Sequence, residues 1–328
     1  MPFTSEVTAT IDAAAGPKIP SSLNKLSEIP RLSLGDSVTP ILEQLKNDQV
    51  VIVTGVAAEE ADDILAAVSE AIDLKSALEI QSGFASIKGH RDNVGKYFMS
   101  VNKTADYEFI APHSEGTQFT NMQIASMYCY ENTTDGGETV LFNVDQDSNE
   151  LKDLKEITWK IRLVDRVLSP AEIAMAKMKW QLTLPDDILS DSDEVIRKRE
   201  SYEEGIELYE VLVSPPPTFS RILEKSVHVY WDNISSTDYA SVNQYRNFLK
   251  DEGLLKTPNE NTTTESLDHS AQRRVWDSGI DYEKLFKSKL IRKLAAGELV
   301  FMNNLTWTHA IANWTPNSGR RKIAVAFA

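Results

Sequence analysis

The pattern of apolar positions changes period several times along this chain. Val50-Val51-Ile52-Val53 is a continuous β-branched run closed by Thr54-Gly55, the pattern of a strand buried on both faces. Around it the spacing is helical. Thr39-Pro40 opens a short helix carrying Ile41, Leu42 and Leu45, and residues 58–73 place Ala, Ile, Leu and Val at helical spacing behind several acids. A two-residue alternation takes over from Glu108. It predicts strands over 109–115, 123–130 and 138–143, with a tight turn at Thr134-Asp135-Gly136-Gly137 between the last two. Near the C-terminus, 297–302 and 320–328 predict two further strands, joined through a Trp-rich loop around His309.

Between these strand-rich stretches the pattern is helix-leaning and charged. It predicts helices over 151–162, 171–180, 194–204 and 282–293, and strand-like pieces at 206–213 and 227–231. Ser214-Pro215-Pro216-Pro217 separates those two pieces and cannot belong to a central strand. Residues 83–102 carry no clear period. Residues 1–35, with Pro2, Pro17, Pro20 and Pro30, read as an irregular lead-in. The expected organisation is this lead-in followed by a single domain over 36–328. Its core strands lie at 108–145 and 297–328, and a helical insertion over 148–293 lies between them: a mainly β fold with α decoration.

Composition narrows the function. The 328 residues are 41% hydrophobic and 25% charged, ordinary for a globular protein, and the net charge is −15. That balance argues against nucleic acid or an anionic membrane surface as partner, because both demand basic patches. No run of about 18 apolar residues offers a membrane span. The single cysteine, Cys129, and a leading segment without a basic-then-apolar pattern favour a reducing, cytoplasmic setting. Nothing in the composition bears on oligomeric state.

The chemistry concentrates at a few positions. Of five histidines, His113 stands in Ala111-Pro112-His113-Ser114-Glu115; on an extended strand His113 and Glu115 project from the same face. A second histidine arriving from another strand, His309, would complete a two-His, one-carboxylate face that leaves three positions of a six-coordinate Fe(II) open. Three further features follow in order: Gly136-Gly137-Glu138-Thr139, which sets a hydroxyl at the start of a strand; His309 after Gly297-Glu298-Leu299-Val300 and an Asn303-Asn304 turn; and Arg320-Arg321 opening the last strand. An arginine fork matches a carboxylate in two-point geometry, and Thr139 offers the same anion another hydrogen bond.

This set resembles the taurine dioxygenase and clavaminate synthase-like family of Fe(II)/2-oxoglutarate-dependent oxygenases, with matching elements from about Thr39 to Ala328. The resemblance implies a double-stranded β-helix, or jelly roll, with the insertion covering the site. It implies His113, Glu115 and His309 as iron ligands, and Thr139 with Arg321 or Arg320 as the hold on 2-oxoglutarate. By alternation Arg321 shares a face with Ile323, Val325 and Phe327, so Arg321 is the expected partner. The implied reaction uses Fe(II), 2-oxoglutarate and O2 to oxidise an unactivated C–H of a small molecule by hydroxylation, desaturation or cyclisation, forming succinate and CO2. Glu115 stands where the taurine enzymes have Asp, which leans toward amino-acid-like or secondary-metabolite substrates. Val325 stands where taurine-type enzymes carry a second, substrate-binding Arg.

Residues expected to face the substrate are Asn121, Gln123, Trp231, Trp307, Ile323 and Val325. His90, Arg91 and His269 read as structural or exposed, and Cys129 as a small buried hydrophobe. Two other readings fit the same residues: a metal-dependent oxygenase or hydrolase on a similar barrel without 2-oxoglutarate, and a non-enzymatic small-molecule-binding barrel.

Overall fold

The computed structural model describes residues 19, 24–25, 31–33, 35, 37–88, 91–101, 109–116, 120–163, 167, 169–180, 188–199, 206–230, 239–256 and 281–328. In chain order the strands are β1 (Asn24–Lys25), β2 (Arg31–Ser33), β3 (Val50–Thr54), β4 (Met99–Ser100), β5 (Ile110–His113), β6 (Ile124–Asn132), β7 (Thr139–Val144), β8 (Glu156–Leu163), β9 (Glu194–Arg199), β10 (Ile206–Val213), β11 (Thr218–Ser220), β12 (Lys225–Val227), β13 (Phe286–Arg292), β14 (Leu299–Asn303), β15 (Trp307–Ile311) and β16 (Arg321–Phe327). The protein is mainly β with several helices.

Two sheets dominate. One runs β1-β13-β7-β15-β5 and the other β2-β3-β14-β6-β16-β4; smaller sheets run β8-β10-β9 and β11-β12. Strands alternate between the two: β4, β6, β14 and β16 lie in the six-stranded sheet and β5, β7, β13 and β15 in the five-stranded one, the exception being β7 and β13, which follow one another in this set and pair directly. Side chains alternate across each strand, so each sheet serves two cores. Ala125, Met127, Cys129, Ile323, Val325 and Phe327 from the six-stranded sheet meet Leu141 and Trp307 from the five-stranded sheet in an inner core. The opposite residues of β16, Ala324 and Ala326, face an outer core that holds Leu65, Val68 and Leu78 of the helices Ala61–Ala71 and Lys75–Lys88. The outer face of the five-stranded sheet packs Val140, Phe142 and Ala310 against Tyr245, Phe248 and Leu249 of the helix Tyr239–Asp251.

Several expectations hold. The helix Thr39–Asp48, the buried strand β3, the helix Ala61–Ala71, the helix Pro170–Trp180 and strands β5, β6, β7, β14 and β16 lie where the pattern places them. Others do not. The helix expected over 151–162 ends after Asn149–Lys152 and gives way to β8, which pairs with β10 from Ile206↔Leu163 to Val213↔Glu156. The helix expected over 194–204 is strand β9, whose Arg197 and Arg199 ion-pair with Glu210 on β10. The helix expected over 282–293 is only Tyr282–Leu285, and β13 then joins β7. In each case charged residues at both periods made a strand face resemble a helix, and cross-strand pairing decided the outcome. The strand expected over 227–231 is shorter: β12 ends at Val227, and His228, Val229 and Tyr230 are outside any strand. The loop expected around His309 is strand β15. The helices Lys75–Lys88 and Tyr239–Asp251 were not anticipated.

Candidate metal centre

β5 and β15 are neighbours in the five-stranded sheet, and His113 and His309 are direct cross-strand partners. Directly paired residues point to the same side of a sheet, so both imidazoles enter the space between the two large sheets. Their ring centroids are 4.3 Å apart. Glu115 follows just past the end of β5 and turns Oε1 back to 3.7 Å from His113 Nε2 and 3.5 Å from His309 Nε2. One ligand atom from each of the three lies within 4.8 Å of the others.

The surroundings set protonation and aim. His113 Nδ1 lies 2.8 Å from the Ala111 carbonyl; donating there leaves Nε2 with its lone pair toward the centre. Burial, with His113 beside it, pushes His309 down to about 4, so its ring is neutral at ordinary pH. Burial works against the charge of Glu115. Hydrogen bonding to His113 and His309, with the charges of His113 and Arg91, outweighs that and holds its carboxyl well below the usual value. The centre therefore presents two imidazoles and one carboxylate, the donor set that suits Fe(II) and leaves coordination positions open.

Asn304 anchors this arrangement. Its Oδ1 accepts from the Glu115 N–H at 2.9 Å, and its Nδ2 donates to the Glu115 carbonyl at 2.9 Å and to the Met122 carbonyl at 2.7 Å. The Asn303-Asn304 turn was visible in the sequence, but this clamp was not. Arg91 was also missed. Its Nη2 lies 3.5 Å from Glu115 Oε1, and its guanidinium stands 5.3 Å from the centre of the Phe327 ring.

A second polar cluster lies along the same face. On β7, Leu141 pairs with His309 and Thr139 pairs with Ile311, so Thr139 is one step along the sheet from the histidines. Thr139 Oγ1 is buried and has no hydrogen-bond partner among the described residues. Across the gap, Arg321 opens the inward row that continues through Ile323, Val325 and Phe327, and its Nε donates to the Gly137 carbonyl at 3.4 Å. Burial pushes the Arg321 guanidinium down to about 10, so it stays charged at neutral pH. The glycine pair makes this approach possible. Gly137 has φ +76°, and a Cβ there would lie 3.1 Å from Arg321 Cδ; at Gly136 (φ +99°) it would lie 2.5 Å from the Asn313 carbonyl oxygen. Arg320 faces solvent, with its backbone tied to Thr133.

Trp307 is 2% exposed, sits two residues before His309 on the same face, and its indole N–H has no partner among the described residues. Ile323 and Val325 line the inner core. Gln123 is buried and engaged: its Nε2 donates to the Phe219 carbonyl at 3.0 Å and its Oε1 accepts from the Arg221 N–H at 2.7 Å. Asn121 has φ 46° at the bend before β6. Trp231, His90 and His269 lie outside the described residues. Cys129 is buried on the inner face, its thiol pushed up to about 11 by burial.

No protein-family model matches the sequence, and no curated protein matches it. Among solved structures, a chain from Burkholderia xenovorans assigned as an alpha-ketoglutarate dependent 2,4-D dioxygenase is 11% identical. The match covers 94% of this chain and 96% of that one, with a TM-score of 0.41. AAD-2, solved in complex with Mn(II) and N-oxalylglycine, is 11% identical over 94% of this chain and 96% of that one, with a TM-score of 0.40. At such scores the chemistry of this chain has to be carried by its own side chains.

Proposed function

We propose that this protein is an Fe(II)/2-oxoglutarate-dependent dioxygenase that oxidises a C–H bond of a small molecule. The observation that carries the proposal is the convergence of His113, Glu115 and His309 within 4.8 Å, with the buried Thr139 hydroxyl, unpartnered among the described residues, farther along the same sheet. The strand order supports a jelly-roll core. Taking β4, β5, β6, β7, β13, β14, β15 and β16 as its eight successive strands, the sheets read first-eighth-third-sixth and fifth-fourth-seventh-second.

In this reading His113 Nε2, His309 Nε2 and Glu115 Oε1 hold the metal. Arg321 and Thr139 bind the far carboxylate of 2-oxoglutarate; the choice of Arg321 is supported by the solvent-facing position of Arg320. When bound, Fe(II) with 2-oxoglutarate and O2 supplies the oxidising power that an unactivated C–H demands, with succinate and CO2 as co-products. The chain does the rest. The Ala111 carbonyl fixes which nitrogen of His113 is open, Asn304 fixes the backbone of Glu115, and the Gly136-Gly137 turn lets Arg321 reach inward. Leu141, Trp307, Ile323 and Val325 keep water from the reacting space. The dicarboxylate clamp is also what separates this reading from a metal enzyme working without 2-oxoglutarate and from a passive binding barrel, since neither needs one.

The substrate space is bounded by Trp307, Ile323 and Val325, and its occupant is an amino-acid-like compound or secondary metabolite. Gln123 serves there as a brace for residues 219–221, and Asn121 shapes the bend beside it. Among the described residues no helix is long and apolar enough to cross a membrane. A cytoplasmic setting belongs to the same proposal, supported by the single, buried, free Cys129.

Equilibrium titration tests the assignment. Mn(II) should bind once per chain, and 2-oxoglutarate should bind the Mn(II)-loaded protein far more tightly than the metal-free one. Both effects should vanish in His113→Ala and His309→Ala. Tight 2-oxoglutarate binding without metal would refute it.

A further inference from the structure

Arg321 carries its charge inward with one hydrogen bond to fix it, from Nε to the Gly137 carbonyl at 3.4 Å, and it forms no ion pair among the described residues. A long side chain held at one point keeps rotamer freedom, and that freedom has to be lost before its fork can meet a carboxylate in two-point geometry. An aromatic face supplies a second restraint. The guanidinium carbon stands 5.4 Å from the centre of the Trp314 ring, within the range over which a cation is drawn to an indole face. Elsewhere in the chain such a contact accompanies an ion pair: Arg199 lies 5.9 Å from the Trp159 ring, but Glu210 is its charged partner. At Arg321 the ring stands without one.

Trp314 lies between β15 and β16, outside both, and its backbone is fixed from either side. It forms an isolated antiparallel bridge with Gly136. The Gly137 N–H donates to the Asn313 carbonyl at 3.1 Å, and the Thr315 N–H donates to the Asp135 carbonyl at 2.9 Å. Lys256 locks Asn313 in turn: its N–H donates to Asn313 Oδ1 at 2.9 Å, and its carbonyl accepts from Asn313 Nδ2 at 2.8 Å. The Asp135 carboxylate accepts from Thr315 Oγ1 at 2.7 Å and pairs with Lys256 Nζ at 2.8 Å. A Cβ at Gly136 would lie 2.9 Å from Trp314 Cα, so only glycine lets this backbone come so close. The two glycines therefore act differently. Gly137 admits the Arg321 side chain, and Gly136 admits the backbone of the residue whose ring meets that side chain.

We propose that Trp314 is a positioning residue for the cosubstrate: its indole face holds the Arg321 guanidinium in the orientation that takes the far carboxylate of 2-oxoglutarate. This rests on the dioxygenase reading and deepens it. Trp314 acts through Arg321 alone, so its influence is confined to ligands that carry the far carboxylate. The stitched corner of Asp135, Lys256 and Asn313 keeps the ring in place while the ligand comes and goes.

The test uses the full chain loaded with Mn(II), without oxygen. It is titrated with 2-oxoglutarate and with 2-oxobutanoate, which keeps the metal-chelating end and lacks the far carboxylate. Trp314→Leu and Trp314→Met should each weaken 2-oxoglutarate binding by about tenfold and Trp314→Phe by about threefold or less, with Mn(II) and 2-oxobutanoate affinities within about threefold of wild type. Two aliphatic variants keep the comparison from hanging on the folding of one. In an Arg321→Ala background, Trp314→Leu should cause no further loss. A Trp314→Phe loss equal to the aliphatic ones, a loss shared by 2-oxobutanoate, or the full loss repeated in the Arg321→Ala background would make Trp314 a packing residue of the corner and overturn the proposal. Aliphatic variants that bind 2-oxoglutarate as wild type does would overturn it too. Failure of wild type to bind 2-oxoglutarate in a Mn(II)-dependent way would instead remove the dioxygenase reading itself.

Discussion

Asn304 holds Glu115 by both of its backbone polar groups, accepting from its N–H and donating to its carbonyl, each at 2.9 Å. Glu115 lies just past β5, where no ladder hydrogen bonds fix it, so a side chain from the turn between β14 and β15 does what a strand neighbour would otherwise do. Asn304→Ala removes three buried hydrogen bonds, including the one to Met122. At about 1 kcal/mol net for each, it should lower unfolding stability by about 3 kcal/mol. Mn(II) affinity should drop by about 10–100-fold because the ligand loses its aim. Urea unfolding and calorimetric Mn(II) titration check the two effects. Unchanged metal affinity would mean that Glu115 is placed by its neighbours alone.

Arg321 and Arg320 are adjacent in sequence and opposite in environment, one facing the inner core and one facing solvent. Loss of a charge-assisted hydrogen bond costs about 2–3 kcal/mol, so Arg321→Ala should weaken 2-oxoglutarate binding by about 30–150-fold, and Arg320→Ala by less than threefold. The comparison is made by titrating 2-oxoglutarate into each Mn(II)-loaded variant. Equal losses, or the reverse order, would contradict the placement.

Gly137→Ala probes the turn that admits Arg321. The new methyl would sit at a φ of +76° and 3.1 Å from Arg321 Cδ. The backbone alone should cost about 1 kcal/mol or more. The 2-oxoglutarate affinity should fall along with Tm, whereas Mn(II) affinity should hold, because the proposed metal ligands lie on or beside β5 and β15.

The metal-free protein should lose stability in mild acid. His309 is held at about 4, below its unfolded value near 6.5, so the unfolded chain binds more protons between those pH values. Stability therefore falls as pH drops from about 6.5 toward 4. At pH 5 the loss from this one group is about 2 kcal/mol relative to pH 7.5. Glu115, held below its ordinary value, adds a further loss below about pH 4.5 in the same direction. Urea unfolding at pH 7.5 and 5.0 measures it, and His309→Gln should flatten the upper part of the dependence.

Part of the candidate site was legible because two-residue alternation fixes side-chain direction over short distances: it puts His113 and Glu115 on one face and Arg321 rather than Arg320 inward, whereas His309 was singled out only through the family resemblance. The same rule gave β6, β7, β14 and β16. What the sequence hid depends on contacts between distant segments. β8, β9 and β13 carry charges at spacings that also suit a helix, and only their pairing with β10 and β7 makes them strands. Asn304 looked like an ordinary turn residue because its partners, Glu115 and Met122, lie far back in the chain. Arg91 stands in a stretch without period, and its meeting with Glu115 and Phe327 is a consequence of sheet closure alone.

The most direct test of the dioxygenase assignment is the fate of 2-oxoglutarate labelled at C1 when incubated with Fe(II)-loaded protein. Labelled CO2 should be released with equimolar succinate, dependent on O2, accelerated by the true substrate and abolished in His113→Ala and Glu115→Ala. Labelled CO2 released equally by wild type and both variants, or no O2-dependent release from wild type across a broad panel of amino-acid-like compounds and secondary metabolites, would contradict it.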